Sequence, residues 1–199
     1  MAAGTTVGAP AFVSVVIATY GREGVLCDTL RHLLAADLGR YLRLQRPTFD
    51  DRLALASRSR HPFIFAAGDN EWADCHRAKP RAYEPLERLA KLRQMFFGGD
   101  ASLGQRRMKL VRQSESGRYP AYRENARWTY ADVTFITLHI IGSNNNLGRT
   151  PQMDAEYEER DAANITWMHE AFDLATRNGS RAVMIIAQAD PYFQTTWTP

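Results

Sequence analysis

Three polar strings each follow an apolar run and carry the side chains best able to do chemistry. They are Gly68-Asp69-Asn70-Glu71 after the run 63–67, Gly142-Ser143-Asn144-Asn145-Asn146 after 133–141, and Gln188-Ala189-Asp190 after 182–187. In an open α/β sheet, ligands bind where strands end. Aspartate, glutamate and asparagine there supply the oxygen donors that a hard cation prefers. A fourth group, Trp72-Ala73-Asp74-Cys75-His76-Arg77, adds a histidine and a guanidinium. Arg77 is suited to clamp a phosphate by paired hydrogen bonds. Taken singly, each string also has the composition of an ordinary turn. Three together point to a shared site only if their tips meet.

The two histidines of interest read differently. His139 lies inside an apolar run, on the face of Val133, Phe135 and Thr137, and so suits a hydrogen-bonded core position. His76 stands in a loop, where contact with substrate or metal is open to it. Two cysteines, Cys27 and Cys75, are too few for a disulfide scaffold and lack finger-type zinc spacing. Both fit plain buried positions.

The elements that must position these residues alternate between strand and helix. A β-rich run at 12–18 precedes helical spacing at Val25, Leu26, Leu30, Leu33 and Leu34. Residues 50–57 suit a short helix with Leu53 and Ala56 inward, and 63–67 a buried strand. Residues 84–97 give the best-marked helix, with Pro85 at its first position and Gly98-Gly99 at its end. Within it, Arg93 breaks the apolar stripe. Strands are expected at 107–113, 128–130, 133–141 and 182–187. A long helix is expected at 154–178, with Tyr157, Ala162, Ile165, Met168, Phe172 and Ala175 as its apolar positions. The whole reads as an α/β protein, a layered β-sheet or sandwich flanked by helices.

The bulk figures are those of a chain that buries a core. It has 199 residues, 45% of them hydrophobic and 24% charged, with a formal net charge of +3. The densest basic stretches, Arg58-Ser59-Arg60-His61 and Arg77-Ala78-Lys79-Pro80-Arg81, suit either a solvated face or attraction for anions such as phosphates. Nucleic acid is not an expected partner, because no basic patch is interleaved with aromatic residues. No apolar run approaches membrane-spanning length and the start makes a poor signal peptide, so a cytoplasmic protein without a membrane partner is expected. Residues 1–10 read as a disordered tail, 11–46 as a strand–helix segment, and 47–199 as the main domain.

The string from Phe63 through Gly68-Asp69-Asn70-Glu71-Trp72-Ala73-Asp74-Cys75-His76-Arg77 resembles the GDNEW-x-DCHR segment of a bacterial branch of the calcineurin-like metallophosphoesterases. The likeness continues through Glu84 to Arg93, at His139 to Asn146, and at Gln188-Ala189-Asp190-Pro191. It implies a β-sandwich flanked by helices, with two divalent ions (Mn, Fe, Zn or Mg) at strand ends. These bridge a hydroxide that attacks a small phosphate ester. Asp69, Asn70 and Gln188 would be the metal ligands. Asn70, His76 and Arg77 would be the catalytic groups, and Asn144, Asn145 and Arg77 would bind substrate. Asp69 stands where the family has asparagine, and Asn70 and Gln188 where it has histidines. The family's Asp-x-His, Gly-Asp-x-x-Asp and Gly-His-x-His motifs are not found. The expected activity is therefore weak or absent, with a non-catalytic remnant or fusion product as the alternative. Association through exposed sheet edges is also expected.

The segment 11–37 resembles instead the opening strand and helix of family 2 glycosyltransferases, in which Thr19, Tyr20 and Arg22 would match the nucleotide-contacting positions. That likeness implies a second alternative, a glycosyltransferase using a nucleotide sugar.

Overall fold

In the computed structural model, the structure describes residues 14–17 as backbone, and residues 48–75 and 83–189. The expected tail at 1–10 and the helical spacing at 25–34 lie outside the described residues, as do Cys27 and the candidates Thr19, Tyr20, Arg22, His76, Arg77 and Asp190.

The described chain is a mixed α/β structure. It contains β1 (Ser14–Ile17), α1 (Phe49–Ser57), β2 (Phe63–Ala66), α2 (Pro85–Phe96), β3 (Val111–Arg112), β4 (Ala126–Tyr130), β5 (Val133–Thr137), α3 (Pro151–Asn178) and β6 (Ala182–Ile186). β1 pairs in parallel with β2, from Ser14 opposite Phe63 to Ile17 opposite Ala66. The other four strands form a mixed sheet in the order β3-β4-β5-β6. β3, β4 and β5 run antiparallel, and α3 is the crossover that lets β6 lie parallel to β5.

Alternation along β2 decides what covers what. Ile64 and Ala66 face the four-stranded sheet, packing with Leu110, Ala126, Trp128 and Ile186. Phe63 and Phe65 face the helices: Phe63 packs with Ala56, and Phe65 against the cluster of Phe49, Leu89, Leu92 and Phe96. On the far side of the larger sheet, Ile136 and Leu138 pack with Trp167 and Ala171 of α3. The order of layers is thus α1 and α2, the β1–β2 pair, the four-stranded sheet, then α3.

Local sequence explains the boundaries. Thr48 and Asp51 form a reciprocal capping box at the start of α1, with the Asp51 N–H donating to Thr48 Oγ1 (3.2 Å) and the Thr48 N–H to Asp51 Oδ2 (2.8 Å). Pro85 opens α2, and Leu89, Leu92 and Phe96 form its buried stripe. The intruding Arg93 has a reason: it forks onto the buried Glu124.

Several expectations needed correction in detail, among them the strand expected at 133–141, which ends at Thr137. The strand expected at 107–113 is reduced to Val111–Arg112, beside an isolated bridge between Ala101 and Lys109. α3 begins at Pro151 rather than 154, because Thr150 caps it and accepts the Met153 N–H (3.2 Å). Its buried face also differs from its apolar spacing. Arg160, Ala163, Asn164, Trp167, Ala171 and Ala175 lie inward, whereas Ile165 and Phe172 are about half exposed (47% and 48%). The polar pair Arg160 and Asn164 is needed beneath the helix, and that need sets its rotation. Among the described strands β6 is at one edge of the four-stranded sheet, and Met184 and Ile185 are partly exposed. No described helix is long and apolar enough to cross a membrane.

This rotation is open to test. Trp167→Ala should cost ~3–5 kcal/mol by urea denaturation, and Phe172→Ala no more than ~0.5 kcal/mol. The reverse order of costs would mean that α3 presents its other face to the sheet.

Candidate functional site

The three strand ends do meet. After β2 the chain makes a turn of 3-10 helix at Asp69–Glu71, and after β5 a tight left-handed turn at Ser143–Asn146. The Gly142 N–H between them donates to Gln188 Oε1 (2.8 Å), and the Gln188 side chain lies against Gly68. Ser143 Oγ reaches both Asp69 Oδ2 (3.1 Å) and Asp74 Oδ2 (2.8 Å). Asp69, Gln188 and the Gly142-Ser143 peptide therefore form one cluster, with Asp69 fully buried.

The remaining sequence candidates are placed otherwise. Asn70 is exposed; its backbone N–H donates to Asp69 Oδ1 (2.9 Å). Asn144 is exposed and donates through Nδ2 to the Leu147 carbonyl (3.1 Å), away from the cluster. Asn145 is turned into the protein. Its Oδ1 accepts the Ile141 N–H (3.0 Å) and Arg160 Nη1 (2.9 Å), and its carbonyl accepts Arg160 Nη2 (2.7 Å). Of the expected metal and substrate residues that are described, Asp69 and Gln188 come together, and Asn70, Asn144 and Asn145 do not join them.

The turn itself is unusual. Ser143, Asn144, Asn145 and Asn146 are four successive non-glycine residues with φ of 53°, 55°, 53° and 66°. Left-handed backbone costs an L-residue roughly 1–2 kcal/mol, least for asparagine. Arg160 grips the turn from α3, and Ser143 ties it to two aspartates. Asn146 is wholly buried; its Oδ1 accepts Arg149 Nη1 (3.1 Å), while its Nδ2 has no partner among the described residues. Arg149 also donates to the Ala73 carbonyl and to Asp74 Oδ1 (3.0 Å).

Beneath the turn runs a buried polar network that fixes His139. Trp72 Nε1–H can only donate, and it points at His139 Nε2 (3.1 Å), so that nitrogen is the acceptor. The proton must then sit on Nδ1, which donates to Glu124 Oε1 (2.8 Å). Glu124 is also held by Arg93. Burial pushes the His139 imidazole down, against the pull of Glu124. Burial alone would raise Glu124, but Arg93 and His139 together hold its carboxylate below the usual range. As expected from the sequence, His139 is a satisfied core residue.

Whether these residues suit a pair of divalent ions can be judged from their lone pairs and charge. Both Asp69 oxygens already accept hydrogen bonds, and a Cβ on Gly142 would fall 2.5 Å from Oδ2, so the carboxyl is hemmed in. Burial pushes the Asp69 carboxyl up, opposed by the Ser143 and Asn70 hydrogen bonds and reinforced by the Asp74 charge. A metal needs its ligands deprotonated. Gln188 Oε1 is engaged by Gly142, and Asp74 by Ser143 and Arg149. Among the described residues, no three His, Cys, Asp or Glu side chains are grouped to hold a metal ion. The described residues do not fit a binuclear centre. Glu71, whose carboxylate pairs with Arg52 and accepts the Gly68 N–H (2.8 Å), is likewise committed to the fold.

Sequence reasoning gave no role to Ser143, Arg149, Arg160 or Glu124. Ser143 stood in a flagged string, but nothing in its type foretold two carboxylate partners. The arginines carry no spacing signal at all. No protein-family model, curated protein or solved structure matches the chain.

The network makes stability sensitive to acid. A histidine whose native pKa lies below its unfolded value of about 6.5 contributes stability that is complete above that value. It is lost as pH falls below it. Glu124, depressed from about 4.5, extends the loss to lower pH. The unfolding free energy from urea denaturation should fall as pH drops from 7 to 5, by at most about 1.4 kcal/mol per pH unit for one proton. The fall should be smaller in His139→Asn, and equal slopes in the two proteins would remove His139 as the cause.

Proposed function

We propose that this chain is a phosphoesterase-like α/β domain, of the calcineurin-like kind that the Gly68–Arg77 string resembles. In this reading hydrogen bonds now do the work of a metal pair at the strand-end centre, and hydrolytic activity is weak or absent. The observation that carries it is the meeting of Asp69, Gln188 and the Gly142-Ser143 peptide at one point, with their oxygen atoms already engaged. Convergence of strand ends supports descent from a site-bearing fold. Saturation of the donors supports loss of the chemistry.

The physical reasoning concerns charge. Phosphoryl transfer needs an activated nucleophile and positive charge around the phosphoryl oxygens. Asp69, Asp74 and Glu71 would repel a phosphate dianion unless cations offset them. The described cations nearby, Arg149 and Arg52, are already paired with Asp74 and Glu71. In this reading Arg77 and His76 are the groups left to meet a small phosphate ester, with Asn144 on the exposed rim. In this reading the outer edge of β6, unpaired among the described strands, is the place where a second chain would add a strand.

The test is hydrolysis of p-nitrophenyl phosphate and bis(p-nitrophenyl) phosphate, with Mn²⁺ or with EDTA. Genuine phosphoesterases exceed the uncatalysed rate by at least about 10⁶-fold. The expected result is turnover near the buffer rate, unchanged by Mn²⁺. Mn²⁺-stimulated turnover abolished in Asp69→Asn or His76→Ala, with circular dichroism unchanged, would establish an active metalloenzyme and reject this reading.

A further inference from the structure

At the amino end of β2 the chain gathers positive charge beside a cleft. α1 runs out at Ser57, and Arg58 caps it, followed by Ser59, Arg60 and His61. The segment after α2 returns to this place. The Phe63 N–H donates to the Leu103 carbonyl (2.8 Å), the Leu103 N–H to the Phe63 carbonyl (3.0 Å), and the Gln105 N–H to the Ser59 carbonyl (2.8 Å). Gly104 makes the approach possible. Its φ is +94°, and a Cβ there would lie 2.3 Å from the His61 carbonyl oxygen, so only glycine fits. The pairing brings Arg106 and Arg107 alongside Arg58, Arg60 and His61, basic groups that are separate in sequence.

Arg60, Arg106 and Arg107 are exposed and make no ion pair with any described residue. Elsewhere Arg52, Arg93, Arg127, Arg149 and Arg160 each meet a carboxylate. A solvated basic face would show the same charge but no cavity. Here a cleft of about 300 Å³ adjoins the charge, with Arg107 on its wall. Leu53, Met95, Phe96 and Leu103 give it an apolar lining, and Asp100 is the one acidic side chain that lines it. That volume is at the small end of ligand sites. A guanidinium presents a planar fork that matches phosphate oxygens. No exposed aromatic ring lines the cleft, so base stacking, which single-stranded nucleic acid requires, has no platform.

We propose that this cleft binds a small organic phosphate. Arg107, with Arg106 and Arg60, holds the phosphoryl group, and an apolar or aromatic group rests on Leu53, Met95, Phe96 and Leu103. The site lies before β2, whereas the Asp69 cluster follows it, and its existence does not depend on the phosphoesterase reading.

Isothermal titration of the full chain with phenyl phosphate, inorganic phosphate and phenol at fixed ionic strength tests this. Phenyl phosphate should bind at least ~10-fold more tightly than inorganic phosphate or phenol, because only it fills both halves of the site. Arg107→Ala should weaken phenyl phosphate by ~10-fold or more, in keeping with loss of a paired charged contact. Ser57→Trp, an exposed rim position facing the cleft, should weaken phenyl phosphate and leave inorganic phosphate unchanged. Asp69→Asn should bind as the parent does, which separates this site from the strand-end centre. Equal affinity for phenyl phosphate and inorganic phosphate, or indifference to Arg107→Ala, would overturn the proposal. So would binding only to RNA or to phosphatidylserine vesicles, which would reassign the patch to a macromolecular surface.

Discussion

Four consecutive residues in left-handed backbone, none of them glycine, must be held down from several sides at once. The Ser143–Asn146 turn is that constraint, and much of the described structure answers to it. Arg160 donates to Asn145 twice and to the His139 carbonyl (2.8 Å) just upstream, so one buried guanidinium spans the approach to the turn and the turn itself. Asp69 and Asp74 share the Ser143 hydroxyl, and Gln188 takes the Gly142 N–H. Each clamp comes from a different element: α3, the turn after β2, and the end of β6. Strain of this kind persists only where its surroundings over-determine it. The clamps that keep the turn in place are the same groups that would otherwise be free to bind a ligand.

A second consequence is that charge is buried in order to reach the turn. Arg160 pairs with Glu156 (2.9 Å), Arg93 bridges Glu124 and Glu156, and Glu124 holds His139. Replacing such a set with well-packed apolar side chains is often neutral or stabilising, whereas removing one partner leaves a buried charge and costs several kcal/mol. The network is therefore better understood as fixing geometry than as adding stability. It sets the rotation of α3, forcing Ile165 and Phe172 outward, and it sets the tautomer of His139 through Trp72.

The sequence made the skeleton legible and left the clamps hidden, for reasons visible in particular residues. Strand-end position suggested that Asp69 and Gln188 could meet, and they do because β2 packs face to face on the four-stranded sheet, Ile64 and Ala66 against Ile186. Asn144 and Asn145 belong to an equally suggestive string but were misplaced, because the left-handed turn sends adjacent side chains to opposite sides. The start of α3 was legible in Thr150-Pro151, an N-cap followed by proline, but apolar spacing suggested a later start. Its buried face was not legible, since periodicity weighs Phe172 and Ile165 as inward and gives no weight to Arg160. Arg93 was visible as an anomaly in a good helix, and the anomaly marked a buried partner thirty-one residues away in sequence.

The two ends of β2 then take opposite electrostatic characters. Beyond its carboxyl end stand Asp69, Glu71 and Asp74, with every described carboxylate oxygen of the cluster hydrogen-bonded or ion-paired. Before its amino end stand Arg58, Arg60, His61, Arg106 and Arg107 around open space. An anionic ligand approaching the first end meets like charge, and its potential partners are already committed. At the second it meets the exposed guanidinium groups of Arg60, Arg106 and Arg107, which make no ion pair with any described residue. Desolvating a phosphate is tolerable only where such donors replace its hydration. On that ground alone, the basic end of β2 is the better place in the described structure to seat a phosphate, even though the sequence string most suggestive of phosphate chemistry lies at the acidic end.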